Sequence, residues 1–106
     1  MLSKRYNHRV RCNESAVVEA QSGICRNLSL GGLFFLGPKF PKGRVVDIQL
    51  QLTPSPGQPA KKIEATAVAR YSHTYPEGTG TGFKFIRLAS DDLAFIKEYV
   101  DNVTQP

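Results

Sequence analysis

The chain has 106 residues, 41% hydrophobic and 22% charged, a composition that suits one compact domain and excludes a disordered tail or two full domains. Its net charge of +5 and pI near 9.5 point to an anionic partner: nucleotide, nucleic acid or lipid head group. The longest apolar run, residues 33–36, is far too short to span a bilayer, and no hydrophobic stretch follows the basic start. No membrane insertion and a cytoplasmic location are therefore expected.

Lys4, Arg5, Arg9 and Arg11 fall close together, with His8 among them and no acid before Glu14. On charge alone, residues 1–11 read as a solvated basic arm. Cys12 and Cys25 lack zinc-type spacing and read as reduced thiols, and neither His8 nor His73 completes a ligand set. No metal and no cofactor are expected.

From Ser15 the chain turns to short strand-like runs. Residues 16–20 form one, closed by a turn at residues 21–23; residues 24–29 and 33–36 form two more, with Gly31-Gly32 between them. Val46, Ile48, Leu50 and Leu52 alternate with Asp47, Gln49 and Gln51, the period of a half-buried strand. The prolines of residues 53–59 mark a loop. Residues 63–71 alternate again, with Ile63, Ala65, Ala67 and Ala69 on one face; residues 76–80 read as a loop and residues 82–88 as the last strand. Ser90 is a candidate helix cap, Asp91 and Asp92 suit the positive end of a helix, and Leu93, Ile96 and Val100 follow at helical spacing over residues 90–101, with Phe95 and Tyr99 alongside. The expected fold is mainly β: a six-stranded antiparallel barrel over residues 15–88, preceded by the arm and closed by a helix.

Two patterns carry recognition chemistry. Arg5 and Arg9 form an Arg-x-x-x-Arg pair, and Asn27, Ser29 and Gly32 form an Asn-x-Ser-x-x-Gly pattern. An arginine fork matches phosphate oxygens or the O6/N7 edge of guanine, and its plane can stack on a purine. Asn27 and Ser29, two apart in a strand, would share a polar face opposite Leu28 and Leu30. Read alone, this second pattern is equally a strand ending in a Gly-Gly turn with solvent-facing polar residues.

Together and in this order the patterns resemble the PilZ family, whose barrel carries an Arg-x-x-x-Arg arm followed by an Asp/Asn-x-Ser-x-x-Gly motif. Lys4-Arg5, the continuation Gly31-Gly32-Leu33-Phe34-Phe35, the run Gly80-Thr81-Gly82-Phe83-Lys84-Phe85 and the final helix extend the resemblance over nearly the whole chain. It implies a single PilZ-type β-barrel domain that binds cyclic di-GMP and signals to a separate protein, as monomer or homodimer, in settings such as motility or biofilm control. It assigns Arg5 and Arg9 to guanine and phosphate, Asn27 to guanine N–H groups, Ser29 to base or phosphate, and Gly32 to holding the turn and leaving room. Lys4 occupies the family position that bears on whether one ligand or a stacked pair is bound; His8, Gly31 and Arg70 are further candidates. Asn27 departs from the equally familiar Asp: a neutral amide accepts a weaker hydrogen bond but avoids repelling a dianion.

Two other readings stand beside this one: a PilZ-fold interaction module without nucleotide binding, and a small basic nucleic-acid-binding barrel. The second is disfavoured because Phe34, Phe35, Phe83, Phe85 and Phe95 sit in core-like patterns rather than interleaved with cations. No catalytic constellation is present in the sequence, so an enzyme is not expected.

Overall fold

Residues 45–52 alternate exposed and buried without a break, so Val46, Ile48, Leu50 and Leu52 fill an interior while Asp47, Gln49 and Gln51 face water. Similar inward rows recur over Val10–Val18 and over residues 61–69 of the computed structural model, which describes residues 8–54 and 57–104. The described elements are β1 (Val10–Val18), β2 (Gln21–Leu28), β3 (Gly32–Leu36), β4 (Val45–Leu52), β5 (Lys61–Tyr75), β6 (Gly78–Leu88) and α1 (Ser90–Thr104). All neighbours pair antiparallel in the order β1-β2-β3-β6-β5-β4, and β4 returns to β1 through Ala16↔Leu50 and Val18↔Ile48. Closure leaves no free sheet edge and encloses one core. Leu28, Leu33, Phe35, Ile48, Leu50, Leu52 and Ile63 are wholly inside it. Each such side chain contributes about 1.5–3 kcal/mol through burial.

The helix α1 packs on this core with Ile96, Tyr99 and Val100, while Leu93 lies at the margin. Tyr99 Oη donates to Glu14 Oε2 at 2.7 Å, tying the helix to β1. Burial first, and then this hydrogen bond, push the Tyr99 phenol far above its ordinary pKa. Leu93 N already donates to the Ala89 carbonyl, so Ser90 lies inside the first turn rather than capping it.

Several boundaries differ from the sequence expectation. β1 starts at Val10, so Arg11 belongs to the barrel and not to the arm. The first turn is Glu19-Ala20, both at positive φ (51° and 68°), and residues 21–23 are already in β2. A two-residue turn with that twist suits a right-handed hairpin. It is held from outside: Glu19 N donates to the Asp47 carbonyl at 3.2 Å and Asp47 N to Glu19 Oε2 at 3.1 Å. The expected loop over residues 76–80 is mostly strand. Only Pro76 and Glu77 turn, because Tyr75↔Gly78 and Thr74↔Thr79 pair, the two threonine hydroxyls at 2.9 Å.

Phe34 and Phe35 are adjacent, point to opposite faces, and are both fully buried. Phe35 enters the core. Phe34 lies on the outside of the wall, where the long β5–β6 hairpin covers it. Tyr71 stacks on it at 6.1 Å and Tyr75 meets it edge-on at 5.1 Å. Arg26 lies 3.9 Å over the Tyr75 ring and pairs with Glu77 at the hairpin tip. Its guanidinium and, before it, the residue's own backbone amide hold the Glu77 carboxyl below its usual range.

Candidate functional site

β2 ends at Leu28, so Ser29 is not in the strand and does not share a face with Asn27. The reason lies in β2 itself. Its register against β3 slips between Cys25 and Asn27, which turns both Cys25 and Leu28 inward. Ser29, only 3% exposed, then opens a tight turn. Its N–H donates to the Gly32 carbonyl at 2.9 Å, its hydroxyl donates to the same carbonyl at 3.3 Å, and Gly31 N donates to its Oγ at 3.2 Å. The Gly31 carbonyl accepts from Phe85 N at 2.8 Å, fastening the turn to β6. Gly32 pairs with Lys84, and a Cβ there would stand 2.0 Å from the Phe83 carbonyl oxygen. Its missing side chain thus serves the β3–β6 contact.

Arg9, exposed at the mouth of β1, donates from Nη1 to Asn27 Oδ1 at 2.9 Å. The two motifs therefore meet. Beside them opens a cleft of about 480 Å³ lined by Arg9, Ser29, Gly31, Gly32, Arg70, Tyr71, Gly82, Phe83 and Lys84. Those residues include three cations and no acid, and Arg70 and Lys84 make no ion pair among the described residues. The Tyr71 ring lies across Gly82, where a Cβ would stand 2.3 Å from it, so its outer face is presented beside the cleft at 43% exposure. A basic hollow with an aromatic ring at its side and a closely braced turn along one wall can hold a phosphate-bearing, planar ligand.

The structure thus brings Arg9, Asn27, Ser29, Gly31, Gly32 and Arg70 to one place. His8 is exposed at the start of the described chain, and Lys4 and Arg5 lie outside the described residues. Lys84 and Tyr71 were not singled out as site residues by the sequence. Lys84 had a signal: it stands between Phe83 and Phe85, so strand alternation turns it outward. No cluster of three or more His, Cys, Asp or Glu suited to a metal occurs among the described residues, and no described helix is long and apolar enough to cross a membrane.

The PilZ domain profile matches residues 2–102, and the chain belongs to the PilZ family. A similar solved structure is the Bacillus subtilis inhibitor of motility MotI/DgrA, with a TM-score of 0.78 at 19% identity. The match covers 89% of this chain and 47% of that one, so this chain spans about half the length of its structural neighbour. A comparison with curated proteins finds no matching relative.

Proposed function

We propose that this protein is a non-catalytic receptor for cyclic di-GMP that passes the signal to a separate protein. The observation that carries the reading is the acid-free cleft bearing Arg9, Arg70 and Lys84 against the motif turn. Two phosphates and two guanines are the ligand chemistry that such a set of forks, point charge and ring would hold. Arg9 is engaged by a neutral amide, not a carboxylate, so it can exchange Asn27 for a phosphate without breaking an ion pair. Arg5, twenty-two residues ahead of Asn27 in sequence, would join it from the arm, with Lys4 reaching a second ligand molecule if a stacked pair binds. Binding neutralises the arm, switches its conformation against the barrel and changes the surface a partner meets. The structural neighbour is an inhibitor of motility, which makes a motility component a reasonable first partner to screen.

Isothermal titration calorimetry with cyclic di-GMP, against GTP and cyclic di-AMP, tests the reading. Selective binding is expected, its stoichiometry separating one ligand from a stacked pair. Arg9→Ala should weaken it about thirtyfold, the ~2 kcal/mol of a charge-assisted hydrogen bond. No heat and no competition at high ligand concentration would leave the protein-interaction reading in its place.

A further inference from the structure

Cys12 and Cys25 play no part in the ligand cleft, yet they face each other across β1 and β2 with sulfurs 3.6 Å apart, both as free thiols. Cys12 is partly exposed and Cys25 is fully buried. The Cys12 thiol donates to the Cys25 carbonyl at 3.2 Å, and the Cys25 thiol to the Asn27 carbonyl at 3.3 Å. Both strands are irregular at this place: the β1–β2 register slips between Arg11 and Glu14, and the β2–β3 register between Cys25 and Asn27. Irregular pairing leaves residues out of the ladder and bends the strand, so fewer backbone bonds fix the two sulfurs in place.

We propose that Cys12 and Cys25 form a modification site at which a hydroperoxide generates an intramolecular disulfide stapling β1 to β2. The Cys12 thiolate attacks the peroxide, the O–O bond breaks, and Cys12 becomes a sulfenic acid as an alcohol (or water) leaves. The Cys25 sulfur then attacks the Cys12 sulfur. The S–O bond breaks, and hydroxide leaves with the Cys25 proton as water. Two thiols and one hydroperoxide thus yield one disulfide, one alcohol and one water, with two electrons passing from sulfur to oxygen. The order of attack follows from the site. Oxidant reaches only the partly exposed Cys12, while the hydrogen bond with Cys12 and then burial keep the Cys25 thiol protonated. The sulfurs must approach from 3.6 Å to about 2.05 Å, a movement the slipped register can absorb. In a reducing compartment such a bond is transient and reports oxidant.

Oxidation removes both thiol protons, so the Asn27 carbonyl loses its donor next to the side chain that holds Arg9. The staple also shifts the β2 segment that carries Asn27, so the oxidised protein should bind cyclic di-GMP about fivefold more weakly, the effect of misplacing one ordinary hydrogen bond to the ligand. This consequence rests on the receptor reading; the disulfide does not.

The test is exposure of the full chain to tert-butyl hydroperoxide, followed by non-reducing intact mass and peptide mapping. The expected product is a monomer lighter by two hydrogens, with Cys12 and Cys25 linked and dithiothreitol restoring the thiols. Cys25→Ser should accumulate a dimedone-reactive sulfenic acid at Cys12. Unchanged mass, a dimer joined through Cys12, or sulfinic acid at Cys12 beside an intact Cys25 thiol would each overturn the site. Oxidised and reduced protein are then titrated side by side. Equal affinities would refute the coupling, whereas a reduced protein that binds nothing breaks the receptor reading and leaves the disulfide standing.

Discussion

The two walls of the cleft are built on opposite plans. The β2–β3 turn spends its polar groups inward: the Ser29 hydroxyl and the amides around it bond to each other, and Gly32 lies flush against β6. The β5–β6 side spends its polar groups outward: Arg70 and Lys84 make no ion pair among the described residues, and Tyr71 shows a ring face. The signature residues of the first wall thus fix its shape, while much of the charge available to a ligand comes from the second. A motif can mark a site by building its frame, with part of the reading done by residues outside it.

If the walls differ in this way, damage to their supports should differ too. The largest effect is expected at Phe34, which carries the second wall from beneath Tyr71 and Tyr75. Phe34→Ala should cost about 3–5 kcal/mol in chemical denaturation, as for any buried phenylalanine. A cost below about 1 kcal/mol would mean that the hairpin holds its place without it. Next comes the first wall. Gly32→Ala pushes a methyl against the Phe83 carbonyl, a backbone atom that cannot swing aside, and should destabilise by about 1–3 kcal/mol.

A paired substitution sharpens the contrast. Ser29→Ala removes the hydroxyl that braces the turn, so denaturation should show a loss of about 1 kcal/mol. Lys84→Ala removes an exposed cation, so stability should stay within about 0.5 kcal/mol while cyclic di-GMP affinity falls and its salt dependence flattens. The reverse assignment, with Ser29→Ala stable and Lys84→Ala unfolding, would invert the description of the two walls.

This division also explains what could be read from the sequence. The alternation of residues 46–52, the other short strand-like runs, the helical spacing of Leu93, Ile96 and Val100 and the two motifs are local signals, and they pointed to the barrel, its closing helix and one wall of the cleft. The start of β1 was hidden because Glu14 sits on its inward row among Val10, Cys12 and Ala16, where a carboxylate breaks the pattern. Its partner Tyr99 is 85 residues away, so nothing nearby announces the exception. Of the hairpin wall only Arg70 was among the candidates, and the rest was hidden for the same reason. Arg70, Tyr71 and Lys84 become neighbours of the Ser29 turn only through the β3–β6 and β6–β5 pairings, which local periodicity does not specify. The turn at Glu19-Ala20 escaped because two non-glycine residues adopt positive φ there under bonds from distant Asp47.

The smallest effect should appear at the far end of the second wall. The Glu77 carboxyl is held below its ordinary pKa by its own backbone amide first and by Arg26 second, so its charge stabilises the hairpin tip above the unfolded value of about 4.3, a contribution lost as pH falls through the lower folded value. Glu77→Gln keeps the side chain's shape and removes that titration. Melting temperatures followed from about pH 7 to about pH 3 should show the variant slightly below wild type at first and the gap closing with acid. The gap is small because Glu77 is exposed and because Arg26 keeps a second hold, 3.9 Å over the Tyr75 ring, that acid does not touch. A gap that stayed constant down to the lowest pH would mean the carboxylate contributes nothing through charge, leaving the tip to the Arg26–Tyr75 stack and the aromatic cover over Phe34.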